Sequence, residues 1–521
     1  MLAQSRRVTF NLETATIADI NAAFDAGALN SEQLVRMYLA RIAAYNENGP
    51  KLNAIITLNQ NAIEQARALD RERLATGRRS PLHGIPIDLK DVFDTYDMPT
   101  SGGFMPMAES RPPRDAFIVK RLRDAGAIIL AKMNQADWFG EHRLAESTRK
   151  GQVLNPYDLT RIPGNSSAGT GAGQAAYFSA LGFGSDTGGS VIWPTADNSL
   201  VCILPTSGLT SRAGQIGSTF RRERNGPIGR SIYDVALALS IVAGVDAEDL
   251  QTMESIGHVP AEPYTSFLDK DGLVGARIGV LRDMFYPATT PGIGAEHAEG
   301  LALIEKAIDD MRNAGAVIVD PVTTGLDLFP LIDEAGTAGP ESYAFQNQYL
   351  ARLGPNNPIR SLEEMAEKGA QYLSPGFIDR VKNAGNEVSL EKNPDYIRRV
   401  AVSDRLRQAI VDLVDRYDLD AVVFPYKTVM APKIGEGRSP GSINRLAAVA
   451  GLPAVLVPAG FVSAGLPIAV EFSGKPFSEP TLIKLAYAYE QRTHHRRTPR
   501  TTPTLRGEII TYDAPTTGAD R

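Results

Sequence analysis

Cysteine is almost missing from this sequence. Cys202 is the only one among 521 residues, so no intramolecular disulfide can form, and a reducing compartment is favoured. It lies in the apolar run 200–204, where a buried and unreactive thiol is expected. A disulfide-stapled scaffold is therefore excluded, and a cysteine nucleophile is disfavoured.

Long apolar runs and an excess of positive charge are also missing. No stretch approaches the roughly 18 uninterrupted apolar residues of a membrane span. Lys plus Arg number 54 against 60 Asp plus Glu, a net charge of −6, whereas nucleic-acid binding requires a concentrated basic face. The first residues lead into a polar segment without the apolar core of a secretory signal. We therefore expect a cytoplasmic protein with no nucleic-acid or membrane partner.

Cofactor and metal motifs are absent as well. The sequence has no P-loop, dinucleotide fingerprint, H-E-x-x-H motif or His/Cys cluster, so no cofactor or metal is required. The S-x-x-K pattern occurs twice, beginning at Ser147 and Ser389, which shows how easily it arises by chance. A Ser-His-Asp hydrolase needs a histidine, and none lies in a recognisable nucleophile elbow, although His83 precedes the Lys90 strand. The histidines are His83, His142, His258, His297, His494 and His495.

Helix and strand patterns alternate along the chain, which is typical of an α/β protein with much parallel pairing. Thr16 and Asn30 are predicted to cap two helices of the N-terminal segment. Further helices are predicted over 117–125, 295–313, 361–368, 395–415 and 478–492. Strands are predicted over 84–91, 127–130, 316–319, 420–425, 454–458 and 466–472. Both halves of the chain therefore contribute to the core sheet.

We expect one large domain made of five parts. These are an N-terminal helical segment (1–75), a core (76–257), a helical cap or insertion (258–400), the C-terminal part of the core sheet (401–498) and a Pro/Thr-rich mobile tail (499–521).

Residues 164–190 hold two clusters of small residues, 166–171 and 185–190, joined by an apolar segment. A flexible linker would be poor in apolar residues. Buried glycines instead indicate a close approach to the main chain, or φ values that other residues avoid. Two tight turns around a buried helix would give the same pattern, so this stretch alone leaves a catalytic and a structural interpretation open.

Taken together, the chain resembles the amidase signature family over nearly its whole length. The most specific part is Asp186-Thr187-Gly188-Gly189-Ser190, with Ser166 of a Ser-Ser pair 24 positions before its last residue. Supporting segments are 84–91, 131–134, 155–158, 205–208, 226–230 and 465–467. The resemblance implies an α/β fold with a central mixed β-sheet covered by helices on both faces, and a hydrolase that cleaves the C–N bond of carboxylic amides.

The resemblance also implies a Ser-cisSer-Lys triad: Ser190 as nucleophile, Ser166 as bridging serine after a cis bond from Asn165, and Lys90 as base. Ser190 would attack the amide carbonyl, and water would then release the acid from the acyl-enzyme. A strand-end lysine beside an aspartate is usually solvated. As a base, however, Lys90 must be buried, because burial lowers its pKa from about 10.4 toward neutrality.

By the same resemblance, the backbone N–H groups of Thr187, Gly188 and Gly189 form the oxyanion hole. Ser167 and Thr170 are expected to support this loop rather than to react.

The sequence departs from the family pattern close to the nucleophile. Ile192 stands where arginine is usual, and Trp193 follows it. A site that lost a cation and gained an indole would favour a small uncharged or aromatic amide, with Ile192 and Trp193 binding the substrate. The alternative is that both side chains point into the core. Further departures are Asn165, Ala168, Thr170 and Leu204.

An ammonia-releasing subunit of an amidotransferase complex is the alternative function. A catalytically silent scaffold is disfavoured because Lys90, Ser166 and Ser190 are all present. For a free-standing enzyme the expected partners are a small amide substrate and water. A homodimer and esterase or carbamate-hydrolase activity are compatible with the same residues.

Overall fold

The computed structural model describes residues 5–139, 143–336, 341–355, 357–384 and 389–515. Its helices are α1 Ile17–Asp25, α2 Ser31–Ile42, α3 Ala62–Thr76, α4 Phe117–Asp124, α5 Ala168–Ala175, α6 Ile192–Asp197, α7 Ile232–Val242, α8 His297–Asn313, α9 Leu328–Ala335, α10 Glu341–Arg352, α11 Leu362–Lys368, α12 Pro375–Ala384, α13 Pro394–Tyr417, α14 Leu446–Ala450 and α15 Glu479–Thr493. Its strands are β1 Ser5–Asn11, β2 Ile55–Leu58, β3 Pro86–Lys90, β4 Ile128–Met133, β5 Glu146–Ser147, β6 Gly151–Gln152, β7 Leu181–Asp186, β8 Val201–Leu204, β9 Arg224–Gly229, β10 Arg277–Leu281, β11 Val317–Val322, β12 Ala421–Lys427, β13 Ala454–Phe461, β14 Pro467–Ser473 and β15 Ile509–Pro515.

Local sequence signals place several of these elements. Thr16 and Asn30 accept hydrogen bonds from the backbone N–H groups of Asp19 and Gln33, so capping boxes open α1 and α2 as predicted. Ser361 caps α11 in the same way, through the N–H of Glu364. No helix within the described ranges combines the length and apolar character that a bilayer span requires.

One mixed sheet of eleven strands forms the centre, in the order β11-β10-β12-β14-β13-β8-β9-β7-β3-β4-β2. Strand β3 is parallel to both β4 and β7, and β10 is parallel to both β11 and β12, whereas the other neighbours are antiparallel. Strands β3, β4, β7, β8, β9, β12 and β14 are buried at every position, so helices and loops cover both faces. The predicted α/β fold, with core strands from both halves of the chain, is confirmed.

The sheet topology points to one edge for chemistry. In sheets with parallel strands, ligands bind in the crevice beyond the carboxyl ends of those strands. Lys90 is the last residue of β3, and Asp186 is the last residue of its parallel neighbour β7. The predicted base and the predicted nucleophile loop therefore begin at the same edge.

Three predicted segments differ in the structure. The tail contains β15, which pairs antiparallel with β1, so the prediction of a mobile tail is wrong for residues 509–515 and the N-terminal segment is not only helical. The predicted cap contributes β10 and β11 to one edge of the sheet. Strands β1 and β15 lie at opposite ends of the chain, and local patterns do not reveal such a remote pairing. The strand predicted over 316–319 inside the cap corresponds to β11.

Arg41 of α2 fastens the C-terminal segment to the core. Its side chain is fully buried; it donates hydrogen bonds to the carbonyl oxygens of Ala176 (2.9 Å) and Thr502 (2.8 Å) and forms an ion pair with Glu508 at 2.7 Å. A buried charge with several partners is expensive to disrupt from one side only.

We predict that Arg41→Ala lowers the free energy of unfolding by about 3–5 kcal/mol, because it leaves the Glu508 carboxylate buried without its partner. Arg36→Ala on the same helix is the control. The Arg36 side chain is 52% exposed and pairs with Glu32, so its loss should cost at most about 1 kcal/mol. Urea-induced unfolding of both variants measures the difference, and equal losses would contradict the assigned role of Arg41.

Candidate active site

The side chain of Lys90 is fully buried at the end of β3. Its Nζ lies 2.6 Å from Ser166 Oγ and 2.9 Å from Ser185 Oγ, both within hydrogen-bond distance. Ser185 belongs to the neighbouring strand β7, so parallel pairing brings it beside the lysine. The structure thus places Lys90 in the interior and joins two of the three predicted triad residues.

The peptide bond between Asn165 and Ser166 is cis, as the resemblance implies. Ser166 lies two positions before α5, which packs directly on backbone. At Gly169 a Cβ would lie only 2.3 Å from the carbonyl oxygen of Ala54 and 2.4 Å from that of Asn134. Only glycine fits there, so this part of the small-residue cluster is explained by close approach of the main chain.

Two hydroxyl residues tie the start of α5 to β7. Ser167 Oγ donates to the carbonyl oxygen of Ser185 at 3.3 Å, and Thr170 Oγ1 donates to that of Phe183 at 3.5 Å. Both side chains are buried. These contacts agree with the supporting role that the sequence suggests for Ser167 and Thr170.

Ser190 lies in the loop between β7 and α6, and it is half-buried, whereas Lys90 and Ser166 are fully enclosed. The Asp186 carboxylate accepts hydrogen bonds from the backbone N–H groups of the two residues that flank Ser190, Gly189 (2.8 Å) and Val191 (2.7 Å). Strand β7 therefore carries Ser185, a hydrogen-bond partner of Lys90, and the loop after it carries Ser190, whose neighbours are held by Asp186.

The Gly189 N–H donates to Asp186, which corrects one part of the predicted oxyanion hole. Gly189 has φ +113°, a conformation that other residues rarely adopt, so its glycine serves the shape of the loop. Thr187 and Gly188 are the predicted donors that stay as candidates.

Burial lowers the pKa of the Lys90 ammonium, because a charged amine loses its hydration inside the protein. The carboxyl groups of Glu223 and Asp186 act in the opposite direction by favouring the charged form. Lys90 is therefore poised to exchange a proton closer to neutral pH than an ordinary lysine.

Glu223 belongs to this site although no sequence pattern marks it. Its carboxylate accepts hydrogen bonds from Thr187 Oγ1 (2.6 Å), the backbone N–H of Ser218 (2.9 Å) and Gln215 Nε2 (3.2 Å). Burial raises the pKa of this carboxyl. In the sequence Glu223 stands in the run Arg-Arg-Glu-Arg, a pattern typical of a solvated surface. Ser185, by contrast, lies in the cluster of small residues 185–190.

Ile192 and Trp193 do not line a substrate site. They are 1% and 4% exposed, and every residue of α6 is buried. The predicted substrate-binding role of these two side chains is therefore wrong, and the alternative placement in the core is correct. The physical reason is that α6 packs between α5 and strands of the central sheet, which leaves no open face.

His83 and Cys202, which could also have supplied a base or a nucleophile, are both buried. His83 Nε2 lies 2.9 Å from the carbonyl oxygen of Leu69, and its Nδ1 accepts the backbone N–H of Arg79 at 3.2 Å. Cys202 is buried as predicted, and burial raises the pKa of its thiol. His142 lies outside the described residues.

Comparison with known proteins agrees with this geometry. A family model described as Amidase matches residues 33–483. A probable amidase of Arabidopsis thaliana is 33% identical over 517 residues, which cover 94% of this chain and 92% of that protein. A glutamyl-tRNA(Gln) amidotransferase subunit of Symbiobacterium thermophilum is 33% identical over 512 residues, covering 93% and 98%.

Solved structures give the same result. The native peptide amidase from Stenotrophomonas maltophilia superimposes with a TM-score of 0.82 at 35% sequence identity, covering 94% of this chain and 99% of that one. The chain therefore belongs to the amidase signature family of hydrolases, which act on amide C–N bonds.

Proposed function

We propose that this enzyme cleaves carboxylic amides through an acyl-enzyme on Ser190, with Lys90 as base and Ser166 as the bridging serine. The observation that carries the proposal is the 2.6 Å contact between a fully buried lysine amine and the Ser166 hydroxyl. Burial penalises the charged ammonium, so a buried lysine is neutral more often than an exposed one. The neutral amine is the form that can accept a proton.

The steps follow from this order of groups. Neutral Lys90 takes the proton of Ser166 as Ser166 takes that of Ser190, and the Ser190 oxygen bonds to the carbonyl carbon. The N–H groups of Thr187 and Gly188 are proposed to stabilise the oxyanion. When the C–N bond breaks, the proton returns through Ser166 to the leaving amine. Water then attacks the ester carbonyl of the acyl-enzyme, and the bond to Ser190 breaks to release the acid and restore the serine.

Two further residues are proposed to position this machinery. Ser185 gives Lys90 a second hydrogen-bond partner at 2.9 Å, which fixes its amine relative to Ser166. Glu223 holds the Thr187 side chain and thereby the loop that precedes Ser190.

At the level of substrate, the likeness to a peptide amidase supports peptide amides as a class to test. Ile192 and Trp193 lie in the core, so they no longer argue for a small uncharged or aromatic amide. Assays with peptide amides, aromatic amides, esters and carbamates would define the acyl and amine parts of the substrate.

The second candidate is an ammonia-releasing subunit of an amidotransferase complex. Its support is the 33% identity to the amidotransferase subunit of Symbiobacterium thermophilum over 93% of this chain. Glutaminase activity that appears only with a partner protein would favour it over free-standing hydrolysis.

We predict that Ser190→Ala abolishes labelling by a fluorophosphonate while circular dichroism stays unchanged, because only an activated serine attacks the probe. Ser166→Ala should lower kcat/KM by about 100-fold or more, the size of general acid–base assistance. Ser167→Ala is the matched control and should lose less than about tenfold, since Ser167 supports the loop through one hydrogen bond. Labelling of Ser190→Ala, read by mass spectrometry, would show that another residue is the nucleophile.

We also predict that kcat/KM falls as the pH decreases through the pKa of Lys90, because the base must be neutral. Burial lowers that pKa, so the acidic limb of the profile should lie well below the value of about 10.4 for an ordinary lysine. Glu223→Gln removes a carboxyl group that favours the ammonium, so the limb should move to lower pH. The control Glu64→Gln changes an exposed residue of α3 and should leave the limb in place. A shift to higher pH in Glu223→Gln would contradict this electrostatic account.

A further inference from the structure

We infer that Arg438 binds an anionic group, most simply a carboxylate, of the amide substrate in a cavity beside the Ser190 loop. The inference rests on the proposed function and adds the charge class of the substrate to it. The cavity has a volume of about 280 Å³, and its walls include Tyr286, Phe329, Ile332, Asp333, Arg438 and Arg445.

Arg445, one wall of the cavity, lies next to the Ser190 loop. A Cβ placed on Gly189 would lie 3.8 Å from Arg445 Cγ and 3.4 Å from Tyr426 Oη, so these two side chains contact the residue before the nucleophile. The guanidinium of Arg438 lies over the ring of Trp193, 5.7 Å from its centroid. Trp193 in turn donates its backbone N–H to the carbonyl oxygen of Gly189 at 2.8 Å. Arg445 thus contacts the loop itself, whereas Arg438 is connected to it through Trp193.

The two arginines differ in their charge balance. Arg445 pairs with Asp333 at 2.5 Å and donates to the carbonyl oxygen of Gly336 at 3.2 Å. Arg438 has neither a hydrogen bond nor an ion pair within the part of the chain that the structure describes; it contacts the Trp193 face, and the nearby charges of Arg445 and Asp333 act on it in opposite directions. Arg438 is an exposed residue that lines the cavity, so its planar fork of N–H donors is available to a ligand there, and a carboxylate matches this fork.

The remaining walls suit a small organic group that carries such a charge. The rings of Tyr286 and Phe329 stack with centroids 3.9 Å apart and give one apolar side. Tyr426, a residue only 1% exposed, lines an adjoining space of about 10 Å³, and its hydroxyl has no hydrogen-bond partner among the described residues. Burial raises the Tyr426 pKa, so this hydroxyl keeps its proton. An apolar wall beside an arginine that has no ion pair among the described residues favours an amide with an anionic substituent.

This placement reverses the expectation of an uncharged substrate. The sequence lacks the arginine that the family has two positions after the nucleophile, where Ile192 stands. The fold brings Arg438, 246 positions later in the chain, to the face of the adjacent Trp193. The cation is thus supplied from a different segment.

Two pairs of shape-matched amides test the inference. N-benzoyl-β-alanine and N-propylbenzamide differ in a carboxylate on the amine side, and glutaryl and pentanoyl 4-nitroanilides differ in one on the acyl side. Arg438→Gln should raise KM for the carboxylate member of at least one pair by about tenfold or more, with kcat and the neutral member changed by less than about threefold. Arg438→Lys should recover part of the loss, because it keeps the charge but not the fork. The control Lys433→Gln removes an exposed cation of the same loop and should change nothing.

A binding measurement separates this inference from the proposed chemistry. Calorimetric titration of the carboxylate amides into Ser190→Ala and into Ser190→Ala with Arg438→Gln requires no turnover. Weaker binding in the double variant supports the anion site, whether or not the wild-type enzyme hydrolyses any of the four amides. Absence of hydrolysis would count against the proposed function and not against the anion site. The inference would be overturned if the charged and neutral amides had equal KM values that Arg438→Gln did not change. Equal binding of the carboxylate amides by the two titrated proteins would overturn it as well.

Discussion

Burial of the Lys90 amine in the central sheet is the condition on which the rest of the site depends. An ammonium loses hydration there, so the neutral amine is favoured, and the oxygens of Ser166 and Ser185 satisfy its hydrogen bonds. The carboxyl groups of Glu223 and Asp186 work against this effect. The proton affinity of Lys90 is therefore set by a balance between desolvation and two nearby acids, not by either alone.

Segments of main chain must lie close together to hold the groups around Lys90 in place. Gly169 lets the start of α5 rest on the carbonyl oxygens of residues 54 and 134, and Asp186 holds the Ser190 loop through two N–H groups. The small residues of 164–190 are thus used for packing as much as for chemistry. A larger side chain at Gly169 would push Ser166 away from the amine that it contacts.

Substrate recognition is assembled from the other half of the chain. The cavity beside Gly189 is formed by residues between 284 and 445, including Tyr286, Phe329 and the loop that carries Arg438. The proposed catalytic residues and their supports come from residues 86–223. This separation explains how the chemistry of the family can be combined with a different charge preference, because the cavity walls can change while the Lys90 cluster stays the same.

The sequence by itself determined what depends on local pattern: the caps at Thr16 and Asn30, the alternation of helices and strands, and, through the resemblance, the pairing of Lys90 with Ser166. Only the tertiary structure decided what depends on remote contacts. Glu223 lies in an arginine-rich run and becomes an interior acid only in the folded chain, where it accepts a hydrogen bond from Thr187, and β15 forms a strand by pairing with the distant β1. The physical reason is that burial and charge neighbours, which set proton affinity and substrate preference, are properties of the packed chain and leave no periodic trace in the sequence.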